Sequence, residues 1–401
     1  MITPKEAEQF IATHLPRFPA RETPLAQAHG QVLRETVTAD RDLPSYDRIT
    51  MDGVAIHFEA WQTGCRTFHM EATAAAGAEA PALTDPANGC VQVMTGAMLP
   101  RGTDTIIPYE ALEINDQRVR VRDDAEVAPL QHLHSKGSDR RKGETILEEG
   151  LVLRGPHVSV AAAVGRSSLS VAVRPTVAII STGDELKDVE DEVEPFQIRS
   201  ANDRGIRAAL LNTGYAQVDA FRVKDNLEQT ETLLARLLTD YGALLLTGGV
   251  SMGKRDFVPA ALSNLGVENI FHKIRQKPGK PMWFGISKDR KPVFALPGNT
   301  VSTLVCLHRY VLPALETALQ ASARPRVMVR LKEAIRFTPP LTGFVPVRLE
   351  WNPDGHCLAL PLETNTSGDF ASLGASDGFV ELPEGKDVYP AGEPVHYVAW
   401  S

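Results

Sequence analysis

The apolar positions of this chain change their period several times, and each change marks an element or a module. Ala7, Phe10, Ile11 and Leu15 recur at helical spacing behind Thr3, Pro4 and Glu6. Those three supply an N-cap, a first-turn proline and the acid of a capping box, so an amphipathic helix is predicted whose stripe faces a core or an interface. From Ser45 to about Glu144 the pattern becomes short alternating segments, "GVAIHF", "CVQVMTGA", "TDTIIPYEAL" and "QRVRVRDD", broken by Gly, Pro and Asn-Gly. Alternation of that kind predicts a β-rich module. Residues 147–174 then read as a strand, a short helix of small residues and another strand, a connector ending at Pro175.

Between Thr176 and about Leu319, short apolar strands such as "VAIIST", "GALLLT" and "PVFAL" alternate with helical patterns. Strand and helix in alternation predict βαβ units, hence a mostly parallel, doubly wound sheet with its ligand cleft at the strand carboxyl ends. After "ASARPR" the pattern is again β, through "RVMVRL", "GFVPVRLEW", "HCLALPLE" and "PVHYVAW". The expected fold class is therefore α/β plus β, multidomain. Four parts are expected: a connector and dimerisation domain at 1–44 and 147–174, a β-rich domain at 45–146, an α/β domain at 175–323 and a barrel-like β domain at 324–401.

Composition narrows the possibilities. The 401 residues are 43% hydrophobic and 23% charged, with a net charge of −8. That balance fits a soluble globular protein and argues against nucleic acid or an anionic membrane as partner. The cysteines Cys65, Cys90, Cys306 and Cys357 show no CxxC pairing, which fits a reducing cytoplasm better than a disulfide scaffold. No stretch approaches the ~20 apolar residues of a membrane span, and the N-terminus lacks the apolar core of a signal peptide.

Three strand ends in the α/β part share one design. "IISTGDEL" places Thr182 and Gly183 before Asp184 and Glu185; "LLLTGGVSMGKRDF" offers Gly248, Gly249, Ser251 and Asp256; "FALPGNTVST" offers Pro297, Gly298 and Asn299. Glycine turns expose backbone N–H groups that can surround a phosphate, and hydroxyls and amides can orient it. Unrelated loop turns are the plainer alternative. Lys273, Lys277 and Lys280 crowd "KIRQKPGKP", where close positive charges suit a polyanion, unless the loop is simply solvated. Asp52, Glu185, Asp225 and Asp256 each stand beside a glycine turn or at a strand end, as carboxylates that hold Mg²⁺ at a phosphate site do, although an acid taken alone is more often a solvated surface group. His132 and His134 alternate as if on one strand face but lack further ligands at a metal-site spacing. No GxSxG, Walker A or GxGxxG pattern occurs.

The blocks "TMDGVAI", "VMTGAMLPRGTDTIIPYE", "STGDEL", "LLLTGGVSMGKRDF", "QKPGKP" and "ALPGN" stand in the same order as in the molybdopterin molybdenumtransferases, the bacterial MoeA proteins and the gephyrin E domain. The chain resembles that family over essentially its whole length. The resemblance implies a homodimer of four-domain subunits that take adenylylated molybdopterin and molybdate, use a divalent metal such as Mg²⁺, and release molybdenum cofactor and AMP. It carries functional roles onto Asp52, Thr95, Glu185, Asp225, Asp256, Lys273, Lys277 and Pro297. Glu185, Asp256 and Asp52 are then the catalytic candidates, and Glu185, Asp225 and Asp256 the metal candidates. Thr182, Gly248, Gly249, Ser251, Lys280, Gly298 and Asn299 join the substrate site, with Arg348 and Ser372 reaching it from the final domain of the dimer partner. Other molybdenum cofactor biosynthesis proteins are further candidate partners. Two departures stand out: Thr145 replaces the aspartate of a common Gly-Glu-Asp, and Thr300 replaces a second proline. A non-catalytic molybdopterin carrier and the adenylyltransferase of the preceding step are the alternative functions.

Overall fold

The computed structural model describes residues 1–250, 256–362 and 369–400. The chain forms two compact units, one made of Met1–Glu35, Glu149–Arg154 and Ser168–Ser401, the other of Thr36–Glu148 and Gly155–Ser167.

The first unit is built on a six-stranded sheet: β1 (Val177–Thr182), β2 (Val218–Val223), β3 (Ala243–Thr247), β4 (Glu268–His272), β5 (Trp283–Ile286) and β6 (Pro292–Leu296). Its spatial order is β2-β1-β3-β6-β5-β4. The first four in that order run parallel, while β5 pairs antiparallel with both β6 and the edge strand β4. Every residue of β1, β3, β5 and β6 is buried, as strands covered on both faces require. The two-residue period sorts them. Val177, Ile179, Leu245 and Phe294 enter one core, whereas Ala178, Ile180, Leu244 and Val293 enter the other.

Helices cover both faces: α1 (Pro4–His14), α2 (Asn202–Asn212), α3 (Leu227–Asp240), α4 (Val258–Asn264), α5 (Thr300–Cys306) and α6 (Leu312–Ala318). Helices α1, α2, α5 and α6 contribute Ile11, Ile206, Cys306 and Leu315 to the first core, and α3 and α4 contribute Leu234 and Leu262 to the second. The capping box of α1 forms as expected, with the Thr3 hydroxyl accepting from the Glu6 amide and the Glu6 carboxylate accepting from Thr3. Its stripe is narrower than the periodicity predicts. Ala7 and Ile11 are buried, but Phe10 is 40% exposed because it lies at the margin of the face that meets the core. The helical pattern from Val301 to Leu319 is also broken, by a π-helical turn at Leu307–Val311 that precedes Pro313. Proline offers no N–H to continue the α-helical ladder.

After α6, five strands close on themselves. Thr342–Trp351 pairs with Cys357–Pro361 and Gly378–Leu382, and Val327–Leu331 and Pro394–Ala399 complete the ring. Ring closure leaves little free sheet edge. The short strand Gln276–Lys277 adds alongside Thr342 and Gly343, drawing the "KPGKP" segment toward the barrel.

The second unit holds a separate six-stranded sheet, in the order Thr105–Pro108, Gly53–Ile56, Gly89–Val93, Thr67–Ala74, Arg118–Val121 and Leu112–Asn115. Successive residues Val54 and Ala55 again enter different cores, so both sheet faces are covered. Together the units bear out α/β plus β as the fold class. No helix among the described residues is long and apolar enough to cross a membrane.

Candidate functional site

Because β1, β3 and β6 are adjacent and parallel, their carboxyl ends meet at one edge, although the turns that follow are far apart in sequence. They line a cleft of ≈ 560 Å³. Thr182 and Glu185 come from the first turn, Gly248 and Gly249 from the second, and Pro297, Gly298 and Asn299 from the third. Asp225 after β2 and Asp256 before α4 complete the acidic lining. Nine of the candidates named above therefore share one cavity.

The paired glycines are required by geometry. Gly248 (φ +91°) and Gly249 (φ +67°) adopt left-handed backbone, and a Cβ on either would come within 2.9 Å of the Thr182 hydroxyl. Side chains are excluded there by the neighbouring turn. Asn299 caps α5, its carboxamide oxygen accepting from the Ser302 amide at 3.1 Å. Ser251 lies outside the described residues.

Sequence reasoning missed the residue that ties the turns together. Asn202, the first residue of α2, donates from Nδ2 to the Thr247 hydroxyl and to the Gly298 carbonyl, both at 2.8 Å. The signal was the polar run "RSAN" at a helix start, where such residues often do no more than cap. Three polar atoms at this edge, Ser181 Oγ, Thr182 Oγ1 and Asn202 Oδ1, are buried without a protein partner. An unmatched buried polar atom costs about 1–3 kcal/mol, and a polar ligand in the cleft offers these atoms partners.

Glu185, Asp225 and Asp256 converge on the cleft from three strand ends, yet among the described residues no three His, Cys, Asp or Glu gather closely enough to form a metal cage. The expected three-carboxylate set is thus not a preassembled site. Its chemistry still fits Mg²⁺, which keeps several waters and needs only one or two carboxylates beside phosphate oxygens.

The remaining candidates lie elsewhere. Lys277 lines a different cavity of ≈ 390 Å³ with Arg336 and Phe344, because its strand pairs with the barrel. Lys273 and Lys280 flank that segment and do not line the cleft. Arg348 donates to Glu350 at 2.9 Å, and the Ser372 hydroxyl donates to the Asp369 carbonyl at 2.9 Å. Asp52 and Thr95 belong to the second unit. There the Thr95 hydroxyl and amide donate to Asp52 Oδ1 at 2.7 and 2.6 Å, hydrogen bonds that hold the carboxyl below its ordinary pKa. His132 and His134 do not share a strand face, since His132 has positive φ; His134 pairs with Asp139 and Arg48.

Three family models match the chain: the MoeA N-terminal region (domain I and II) over residues 2–165, a probable molybdopterin binding domain over 178–317, and the MoeA C-terminal region (domain IV) over 328–400. A molybdopterin molybdenumtransferase of Synechocystis sp. is 37% identical over 401 residues, covering 100% of both chains. Another protein of that name, from Synechococcus elongatus, is 32% identical over 93% of this chain and 92% of its own. The crystal structure of a molybdopterin biosynthesis MoeA protein from Pyrococcus horikosii superposes with a TM-score of 0.83 at 27% identity, covering 100% of this chain and 99% of the other.

Proposed function

Since the chain belongs to the MoeA family, we propose that it is a molybdopterin molybdenumtransferase, a transferase of molybdenum cofactor biosynthesis that inserts molybdenum from molybdate into adenylylated molybdopterin with release of AMP. The observation that carries this reading is the convergence of three glycine turns, three carboxylates and unmatched buried hydroxyl and amide oxygens on one cleft. A phosphoanhydride needs backbone N–H groups of a glycine turn, which Gly248 and Gly249 bring to the cleft lining, and hydroxyl donors, which Ser181 and Thr182 supply. Asn202 holds the second and third turns in register for that ligand. Glu185, at the mouth of the first turn, orients the reacting group by charge.

Mg²⁺ dependence is part of the proposal: one or two of Glu185, Asp225 and Asp256 would hold the hydrated ion with phosphate oxygens. When bound, it would offset phosphate charge and polarise the bond that releases AMP. The same reading includes a cytoplasmic homodimer, the four-part division at 1–44 with 147–174, 45–146, 175–323 and 324–401, and roles for Asp52, Thr95, Lys273, Lys277, Lys280, Arg348 and Ser372. The deciding experiment mixes purified protein with adenylylated molybdopterin, Mg²⁺ and molybdate and measures AMP. Release that requires molybdate supports the transferase; tight binding without release identifies a carrier.

A further inference from the structure

A second cavity of the same unit, ≈ 260 Å³ in volume, shares no lining residue with the cleft. The two sit at opposite ends of α2: Asn202 begins the helix in the cleft, whereas Asn212 and Thr213 border this cavity, about 15 Å away along the axis at 1.5 Å per residue. Arg174 and Tyr215 line it. The guanidinium donates from Nη1 to Gln31 Oε1 at 2.5 Å and from Nη2 to the Gly30 carbonyl at 2.7 Å, both neutral acceptors. Its Nε–H is buried without a partner. So is the hydroxyl of Tyr215, a residue only 3% exposed whose ring centroid lies 5.8 Å from the guanidinium carbon. The carboxylate at the rim, Glu316, is already paired with Arg324 at 2.9 Å. Arg174 is therefore a buried positive charge whose hydrogen bonds all go to neutral acceptors, with the Glu316 carboxylate acting on it only through space and two unused donors beside it. Burial disfavours that charge and lowers the pKa of Arg174.

We propose that this cavity binds a small organic carboxylate, its oxygens accepting from Arg174 Nε and the Tyr215 hydroxyl and its short apolar body lying against Val32, Leu312 and Leu319. A water molecule would satisfy the two donors but would bring no negative charge into contact with the guanidinium. A carboxylate does both, and charge-assisted hydrogen bonds are roughly twice as strong as neutral ones. The apolar walls favour an organic acid over a compact, strongly hydrated inorganic anion.

The test is calorimetric titration of the full chain with butyrate, butyramide and sulfate. Butyrate should bind saturably and at least about tenfold more tightly than butyramide, the scale of one charged hydrogen bond. Sulfate should bind more weakly than butyrate. Tyr215→Phe removes only the hydroxyl and should weaken butyrate at least about fivefold, while Arg174→Gln should abolish the preference for butyrate over butyramide. If Arg174→Gln fails to fold, Tyr215→Phe still decides. Equal binding of butyrate and butyramide, binding of neither, sulfate binding as tight as butyrate, or unchanged butyrate affinity in Tyr215→Phe overturns the proposal.

Discussion

The carbonyl and hydroxyl oxygens of Thr182 occupy the space a side chain on Gly248 would need: a Cβ there would lie 2.7 Å from one and 2.8 Å from the other. Two strand ends that are 66 residues apart are thereby packed backbone to backbone, and Thr182 keeps its hydroxyl buried at the cleft at 7% exposure.

Gly248→Ala adds both strain at φ +91° and that collision. A non-glycine residue in strained left-handed backbone costs about 1–3 kcal/mol before the clash is counted. Denaturant titration should show at least that loss, and affinity for adenylylated molybdopterin should fall with it. Wild-type stability and affinity would mean that the turn re-forms elsewhere.

Glu185→Gln keeps the size of the side chain and removes its charge at the cleft mouth. If the carboxylate serves the insertion step, molybdate-dependent AMP release should drop by about 10²–10⁴, the usual contribution of a positioned acid or base, while ligand affinity changes little. Release at the wild-type rate would remove Glu185 from the mechanism.

Lys277 is anchored by strand pairing through its backbone, so Lys277→Ala should leave the fold intact. If Lys277 contacts the ligand as proposed, losing that charge-assisted contact should weaken adenylylated molybdopterin by about 1–3 kcal/mol. Unchanged affinity in a titration would make the segment structural only.

Acid should loosen the packing of α1 and the π-helical turn against the barrel. Arg309, 4% exposed, pairs with Glu8 and Glu381, and His396 hydrogen-bonds Glu381 at 3.1 Å. Burial opposes the Glu381 charge, but the His396 hydrogen bond and the adjacent guanidinium hold its carboxyl down at about 2, against an ordinary 4.5. That stabilisation is complete above pH 4.5 and is lost as pH falls toward 2. Burial, partly offset by a hydrogen bond with the Ala399 backbone, pushes His308 from 6.5 down to about 4. Its contribution is complete above pH 6.5 and fades toward 4. Stability should thus decline progressively from pH 6.5 to 2, and in His308→Gln the upper part of the decline, between 6.5 and 4, should flatten. A denaturant midpoint that stays constant from pH 7 to 4 would refute this.

The homodimer in the proposed function predicts twice the 43.7 kDa chain mass in sedimentation equilibrium at micromolar concentration. A stable species at the single-chain mass would refute it.

What the sequence determined by itself is local. The capping box of α1, the buried strands that open β1, β3 and β6, and the glycines that must follow them are each written in a few adjacent residues, because backbone conformation and solvent exclusion act over that range. The ordered blocks added the family. Tertiary structure decided which of those turns become neighbours. The strand order β2-β1-β3-β6 places three ends side by side, and only then does Asn202 meet Thr247 and Gly298, and Arg174 meet Tyr215. The same long-range pairing moved Lys277 to the barrel and left Phe10 outside the core. Periodicity records that a face is apolar; which surface covers it, and which polar atoms remain unmatched afterwards, depends on strand pairing between residues that no local pattern connects.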